Sequence, residues 1–244
     1  MGAEPQTALA HVIMPQMAPS LQGRTLRELV RAAGEAFADL GVEIIGGHTS
    51  EGAELSIGCT LTGVARRPPI GQTMAQPGDL LVLTRPIGSG VLLAAEMAYR
   101  AEGGHIADLW RILVTPQSEE AAHLARVARA MTDVTGFGLS GHLANICRGS
   151  GVGASLQLAD IPVFDGAQHW AARGVASSLF AANRDSVSDM MAVDGADPLL
   201  FDPQTAGGFL ASIPPGTETD LMQALPSARI IGQITDRQGV ITLH

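Results

Sequence analysis

The stretch at residues 132–138, which reads Thr-Asp-Val-Thr-Gly-Phe-Gly, is the strongest constraint on how this chain can fold. It places one carboxylate, Asp133, at the start of a glycine-rich turn, and the periodic run 139–147 predicts a helix directly behind it. Such a turn can direct backbone N–H groups and an acidic side chain toward one anion or metal–phosphate complex. The same spacing is typical of an ordinary turn, so these residues alone leave both interpretations open.

The composition indicates a globular chain that can fill a large core. Hydrophobic residues make up 46% of the 244 residues and charged residues only 16%, and this length suits one large or two moderate domains. The net charge of −9 argues against a nucleic-acid-binding surface and against an anionic membrane surface. Because no signal peptide and no apolar run of membrane-spanning length is visible, we expect a cytoplasmic protein.

The side-chain inventory excludes several kinds of site. All fifteen basic residues are arginine, since the sequence contains no lysine. This excludes a Walker-type phosphate loop and a lysine nucleophile or general base from this chain. The two cysteines, Cys59 and Cys147, are expected to lie reduced in the core, and the histidines and cysteines lack the spacing of a structural zinc site.

The first part of the chain is predicted to alternate between strands and a helix. A loop is expected at residues 1–7 and a strand at 8–15. Thr25 and Glu28 have the spacing of a capping box, which predicts a helix over 25–40.

A short strand at 42–45 is then predicted to end in Gly46, Gly47, His48 and Thr49. Adjacent glycines allow close approach of a ligand to the backbone, and the histidine and hydroxyl supply polar contacts. The alternative is a tight turn in which His48 is bonded locally, and the residues do not decide between the two.

Two further glycine-rich segments stand out in the second part of the chain. Residues 85–90 connect a strand to a helix, where N–H groups could receive a phosphate, although plain turn chemistry is the favoured interpretation. Residues 202–208 read Asp-Pro-Gln-Thr-Ala-Gly-Gly, and we expect this elaborate connection between two apolar strands to line a site.

The order of elements indicates an α/β (α+β) class, because strands and helices alternate with some hairpins. Proline, glycine and glutamine cluster at 70–77, which predicts a boundary between domains at residues 1–76 and 77–244. A final pair of neighbouring strands is predicted at 230–234 and 240–243.

These strings, in this order, closely resemble selenophosphate synthetase (selenide, water dikinase), a family of the aminoimidazole ribonucleotide synthetase-like superfamily. The strings are residues 46–49, 85–90, 132–142, Asn183 and residues 202–208. The resemblance runs over nearly the whole chain, and His48 points to the selenium branch. It implies two α/β subdomains: residues 1–76 would be the C-terminal part of an incomplete N-terminal, ATP-binding and dimer-forming subdomain, and residues 77–244 the C-terminal subdomain.

The resemblance also implies a reaction in which ATP, selenide and water give selenophosphate, AMP and phosphate, with Mg²⁺ required. It implies that Asp133 is a metal ligand, and that Gly46, Gly47, His48 and Thr49 contact ATP across the interface of a homodimer. ATP and selenide would be the small-molecule partners, with no nucleic acid and no membrane.

Members of the family carry an N-terminal segment with a reactive cysteine or selenocysteine, a nearby lysine and further aspartates. Neither Cys59 nor Cys147 has the Gly-x-Lys surroundings of that nucleophile, so we assign no catalytic residue. We expect this chain to be the C-terminal two thirds of the enzyme and to be inactive by itself. An engineered fragment, a truncated gene and a piece of a larger polypeptide, such as a fusion behind a flavin-dependent oxidoreductase module, all remain open.

Two other interpretations compete with this one. The first is a non-catalytic dimerisation or ligand-binding remnant of the family, which the missing lysine favours. The second is a synthetase of the same superfamily that acts on a purine or thiamine precursor; His48 and residues 202–208 argue against it, by resemblance alone.

Overall fold

The computed structural model describes all 244 residues and divides the chain into two compact units. The smaller unit is Gly2–Pro69, and the larger is Ile70–His244 together with Met1. The elements are β1 Ala3–Pro15, α1 Pro19–Ala38, β2 Glu43–Gly52, β3 Ser56–Ala65, β4 Leu80–Leu83, α2 Ser89–Met97, α3 Gly103–Leu113, α4 Ser118–Val127, β5 Ala130–Asp133, α5 Gly138–Ser150, β6 Gly153–Leu156, α6 Ala167–Ala171, α7 Phe180–Asp185, β7 Phe209–Ile213, α8 Glu218–Ala224, β8 Arg229–Thr235 and β9 Ile241–Leu243. This mixture of helices and strands confirms the predicted α/β (α+β) class.

The smaller unit is a three-stranded sheet in the order β2-β1-β3, with β1 parallel to β2 and antiparallel to β3. Alternate residues of β1 are buried, among them Val12 and Met14, as expected for a strand with one covered face. Strand β1 begins at Ala3, where it pairs with Ala65 of β3. The loop predicted for residues 1–7 is therefore wrong, because long-range pairing extends the strand beyond its apolar core.

Helix α1 begins at Pro19, six residues before the predicted capping box. The proline at its first position suits a helix start because its missing N–H has no partner there in any case. Thr25 thus lies inside the helix and caps nothing. The predicted helix exists, but its predicted start is wrong.

The run Gly46, Gly47, His48, Thr49 lies inside β2, and not after the end of a strand as predicted. Its pairing with β1 continues without a break through all four residues. A Cβ atom on Gly47 would lie 1.8 Å from the carbonyl oxygen of Ala10, so only glycine lets the two strands approach. We call residues 46–49 the glycine strand.

The larger unit is built on a six-stranded sheet in the order β5-β7-β4-β8-β6-β9. Its central strand β4 is apolar throughout because both faces are covered: Leu81 and Leu83 pack in one core cluster and Val82 in the other. Strands β8 and β9 do not pair with each other as predicted, since β6 lies between them and pairs with both. No helix in either unit is long and apolar enough to cross a membrane.

Residues 202–208, which we call the capping loop, bring two buried side chains to the start of helix α2. The Oε1 atom of Gln204 accepts hydrogen bonds from the N–H groups of Gly88 (3.0 Å) and Ser89 (3.1 Å). The Oδ2 atom of Asp202 accepts from the next two, Gly90 (3.0 Å) and Val91 (3.2 Å). The first N–H groups of a helix have no partner within it, and here internal side chains occupy them in place of a phosphate.

Arg85, which precedes this turn, is likewise engaged within the protein. Its guanidinium is buried and donates to the carbonyl oxygens of Ile112 (3.0 Å) and Thr115 (2.7 Å) at the C-terminal end of α3. Burial lowers the pKa of Arg85, and the nearby Glu120 raises it. Residues 85–90 are therefore a structural turn, in line with the favoured interpretation.

The buried carboxyl of Asp202 makes a testable contribution to the pH dependence of stability. Burial raises the pKa of Asp202 to about 6, although hydrogen bonds from Val91, Gln204 and Gly90 lower it. Because this value lies above the ordinary 3.8, the folded state holds the proton more tightly, and the contribution to stability falls as pH rises from about 4 to 6. Two pH units correspond to ~3 kcal/mol.

We therefore expect Asp202→Asn to abolish the contribution of Asp202 to the pH dependence of the free energy of unfolding. The wild-type minus variant difference in free energy of unfolding should decrease by ~2–3 kcal/mol between pH 4 and pH 7, measured by denaturant titration at both values. The same substitution at the exposed Asp236 is the matched control. A difference that does not change with pH would contradict the assignment.

Candidate functional site

Strand β5 carries Asp133 out of the core at its C-terminal end. The three residues before it are buried, whereas Asp133 is exposed. Helix α5 starts at Gly138, which confirms the helix predicted directly behind the turn; strand β5 before the turn was not predicted. We call residues 133–137 the Asp133 turn.

The capping loop holds the backbone of the Asp133 turn. The N–H of Val134 donates to the carbonyl oxygen of Gly208 (2.8 Å), and the carbonyl oxygen of Thr135 accepts from the N–H of Gln204 (2.9 Å). The capping loop thus has two roles. Its side chains accept the first N–H groups of α2, and its main chain bonds to the Asp133 turn. The sequence predicted that the loop lines a site, but Asp202 and Gln204 are turned toward α2 and away from any ligand.

His142, on the first turns of α5, holds the same segment from the other side. Its side chain is buried, and Nε2 accepts a hydrogen bond from the N–H of Thr135 (2.9 Å). Burial lowers the pKa of His142, and the charge of Asp133 raises it. The sequence left solvent exposure and local bonding open for this residue; exposure is wrong and local bonding is confirmed.

Asn183 provides a third anchor from helix α7. Its Nδ2 atom donates to the carbonyl oxygens of Gly136 (2.8 Å) and Phe201 (3.0 Å). No local pattern predicts this role, because the partners lie 47 and 18 residues away along the chain. Only its place among the ordered strings marked the residue.

Side chains accept the first N–H groups of α2, whereas at the start of α5 the N–H of Gly138 bonds to the backbone carbonyl oxygen of Thr135 (3.1 Å) and no side chain accepts. Gly138 has a φ of +68°, and a Cβ atom there would lie 2.9 Å from the carbonyl carbon of Phe201, so glycine is required at this close approach. Phe137 and Asp133 are both exposed beside this end of the helix. One accessible carboxylate, Asp133, therefore lies five residues along the chain before the positive end of a helix dipole.

The chain offers a metal ion only part of a coordination sphere at this turn. Nowhere do three histidine, cysteine, aspartate or glutamate side chains meet in a way that could hold a metal. Mg²⁺ is commonly held by one or two carboxylates together with water and substrate phosphates. An exposed Asp133 fits a metal that arrives with a phosphate group, and does not fit a resident cage.

In the smaller unit, the glycine strand borders a cavity of about 360 Å³ between α1 and the sheet. Gly46, Gly47, His48 and Thr49 all contribute to its lining. His48 is exposed, and its ring centroid lies 5.8 Å from that of His11 on the neighbouring strand. The interpretation of His48 as part of a tight turn is wrong, since it lies in a continuous strand.

Both cysteines are free. Cys147 is buried in α5, and burial raises the pKa of its thiol to about 12, which makes it a poor nucleophile. Cys59 is exposed on β3, so the expectation that it lies in the core is wrong.

Solved structures with the same fold include the hydrogenase maturation protein HypE in its complex with HypF. That match covers 100% of this chain and 75% of the other at a TM-score of 0.73 and 18% identity. Thiamine-monophosphate kinase from Stenotrophomonas maltophilia matches over 100% of this chain and 73% of its own length, with a TM-score of 0.75 and 19% identity. These likenesses confirm the predicted aminoimidazole ribonucleotide synthetase-like fold.

Sequence comparisons identify the family more closely. The family models for the N-terminal and C-terminal domains of AIR synthase related protein match residues 1–65 and 76–244. A selenide, water dikinase of Bordetella bronchiseptica is 34% identical over 92% of this chain and 66% of its own length. That of Pelobacter propionicus is 33% identical over 97% of this chain and 71% of its own length.

The chain thus spans about two thirds of the length of these curated relatives. Both domain models and a relative at this identity agree on the assignment. The chain belongs to the AIR synthase related family and, within it, is related to the selenide, water dikinases.

Proposed function

We propose that this chain is part of an ATP-dependent selenophosphate synthetase, which converts ATP, selenide and water into selenophosphate, AMP and phosphate. The supporting observation is the 33–34% identity to selenide, water dikinases over nearly the whole chain. A HypE structure of the same fold holds ATP, which supports ATP as the nucleotide here. The non-catalytic remnant remains the second candidate, favoured by the absence of lysine.

Asp133 is proposed as one ligand of the Mg²⁺ that accompanies the ATP phosphates. Its side chain is exposed at the end of β5, five residues before the start of α5. The helix end attracts phosphate oxygens, whereas the carboxylate alone would repel them. When bound, Mg²⁺ would neutralise the charge of the phosphates; the protein's part is to hold the carboxylate and the helix end in place.

The glycine strand is proposed as an ATP contact, through Gly46, Gly47, His48 and Thr49 beside the cavity of about 360 Å³. In domain terms, residues 1–76 would be the C-terminal part of the ATP-binding, dimer-forming subdomain and residues 77–244 the C-terminal synthetase-like subdomain.

A homodimer is proposed because the smaller unit leaves much of its sheet uncovered. Every residue of β3 is exposed, including Leu61 and Val64, which are 47% and 49% exposed. Apolar side chains and an exposed edge strand are commonly covered by another protein surface. A second copy of the chain is the partner that this proposal names.

The chain is proposed to be inactive by itself. It contains no lysine, and neither cysteine has the setting of the family nucleophile. In this proposal, the reactive group and further metal ligands come from protein outside residues 1–244, and this chain contributes the Asp133 turn and the glycine strand.

The test of the proposed activity is AMP release from ATP in the presence of selenide and Mg²⁺. The chain alone should give no turnover, whereas the chain joined behind the N-terminal third of the Bordetella bronchiseptica relative should release AMP. A folded chimera that binds ATP but releases no AMP would favour the remnant. Robust turnover by the chain alone would contradict the proposed inactivity.

In the active chimera, Asp133→Asn should lower AMP release by about 100-fold or more, which corresponds to at least ~2.7 kcal/mol of transition-state stabilisation. The amide keeps the size of the side chain but removes the negative charge that a metal requires. Asp165→Asn, at another exposed aspartate of the same unit, is the control and should leave the rate unchanged. Equal rates of AMP release for the two variants would contradict the assignment of Asp133 as a metal ligand.

Sedimentation at micromolar concentration should give the mass of a dimer. Leu61→Asp places a charge on the uncovered sheet and should shift the protein to the monomer without loss of secondary structure. Val114→Asp is the matched control, because Val114 is 71% exposed in the larger unit. A monomeric wild type would contradict the proposed homodimer.

A further inference from the structure

We infer that His142 is a positioning residue: it fixes the backbone of the Asp133 turn and thereby the direction of the Asp133 carboxylate. The inference deepens the proposed function and rests on it for the role of Asp133 as a metal ligand. The claim about the backbone of the turn stands on the geometry alone.

The first observation is the hydrogen bond itself. Thr135 lies two residues after Asp133, and its N–H donates to Nε2 of His142 at 2.9 Å. No other acceptor contacts this N–H. Without the imidazole, a partly buried donor would lose its partner, and the turn would lose a link to α5.

The second observation is the rigidity of the group that provides the acceptor. Helix α5 is anchored in the core by Leu139, Leu143 and Ile146, all fully buried. The ring of His142 also packs against Phe137, with centroids 5.5 Å apart. The hydrogen bond from Thr135 therefore ties the turn to a fixed helix, through a ring whose rotation is restricted.

The third observation is an unpartnered atom on the same ring. Because Nε2 accepts from Thr135, the proton of the neutral imidazole lies on Nδ1. Nδ1 is buried and has no hydrogen-bond partner in the protein. Leucine would fill a similar volume without burying an unpartnered polar atom. What a histidine offers here over an apolar residue is its Nε2 acceptor.

The geometry also distinguishes positioning from proton transfer. A general base needs a free lone pair within reach of the substrate. The lone pair of Nε2 already receives the N–H of Thr135, and Nδ1 is enclosed. His142 acts through Thr135 and does not touch reacting atoms.

The experiment compares His142→Leu, which has no acceptor, with His142→Gln, whose Oε1 can reach the position of Nε2. The readout is hydrogen–deuterium exchange at the amide of Thr135 in this chain, followed by NMR. Loss of one hydrogen bond of ~1 kcal/mol should speed exchange about fivefold in the leucine variant. The glutamine variant should keep the wild-type rate, and the melting temperature of the leucine variant should not fall.

Protection of the Leu210 amide in strand β7 controls for the fold. If His142→Leu loses that protection, His142→Met takes its place as the variant without an acceptor. Unchanged exchange at Thr135 in a folded variant without the acceptor would overturn the inference. Faster exchange in the glutamine variant as well would also overturn it.

A second arm uses Mn²⁺ added together with ATP, because Mn²⁺ takes the same oxygen ligands as Mg²⁺ and the proposed metal arrives with the nucleotide phosphates. Paramagnetic broadening in wild type and His142→Gln should centre on the Asp133 amide, and His142→Leu should need about threefold more Mn²⁺ for the same effect. Absence of broadening at Asp133 in wild type would contradict its proposed metal role. The exchange at Thr135 would still decide whether His142 holds the turn.

Discussion

The larger unit depends on the hydrogen bonds by which the side chains of the capping loop satisfy the first N–H groups of α2. Asp202 and Gln204 accept four successive N–H groups of that helix, and the main chain of the same loop bonds the Asp133 turn. A helix end otherwise leaves these donors unpaired. The packing of α2 and the position of Asp133 are thus coupled through seven residues, and a change that displaces the loop would disturb both.

The N-termini of α2 and α5 differ in how their N–H groups and carboxylates are arranged. At α2 a buried carboxyl already occupies the position that an anion would take, so phosphate binding there would require removal of Asp202 from the core. At α5 no side chain caps the helix, but Asp133 stands exposed nearby. A bare phosphate gains from the helix end and is repelled by the carboxylate. A cation carried with the phosphate removes this conflict, which favours a metal–phosphate complex over a free anion.

The sequence predicted what depends on neighbouring residues and missed what depends on distant ones. The Asp133 turn and the helix α5 behind it followed from a local pattern, whereas strand β5 before the turn did not. The start of β1 at Ala3 depends on pairing with β3 more than 60 residues away, and no local signal reports it. The link from Asp202 to Gly90 spans 112 residues. The polar residues of the capping loop were visible as unusual, but their partners were not.

The chain positions polar groups but has neither the lysine nor the cysteine setting of the family nucleophile. It has no lysine, the thiol of Cys147 is buried with a pKa near 12, and its one proposed metal ligand stands alone. Phosphoryl transfer depends mainly on positioning and on charge neutralisation, with little covalent chemistry from the protein. This chain uses its polar groups to hold the Asp133 turn and the glycine strand in place. It can therefore supply a large part of a phosphoryl-transfer site. Under the proposed function, a nucleophile from outside residues 1–244 would meet Asp133 on a turn whose backbone His142 and the capping loop hold.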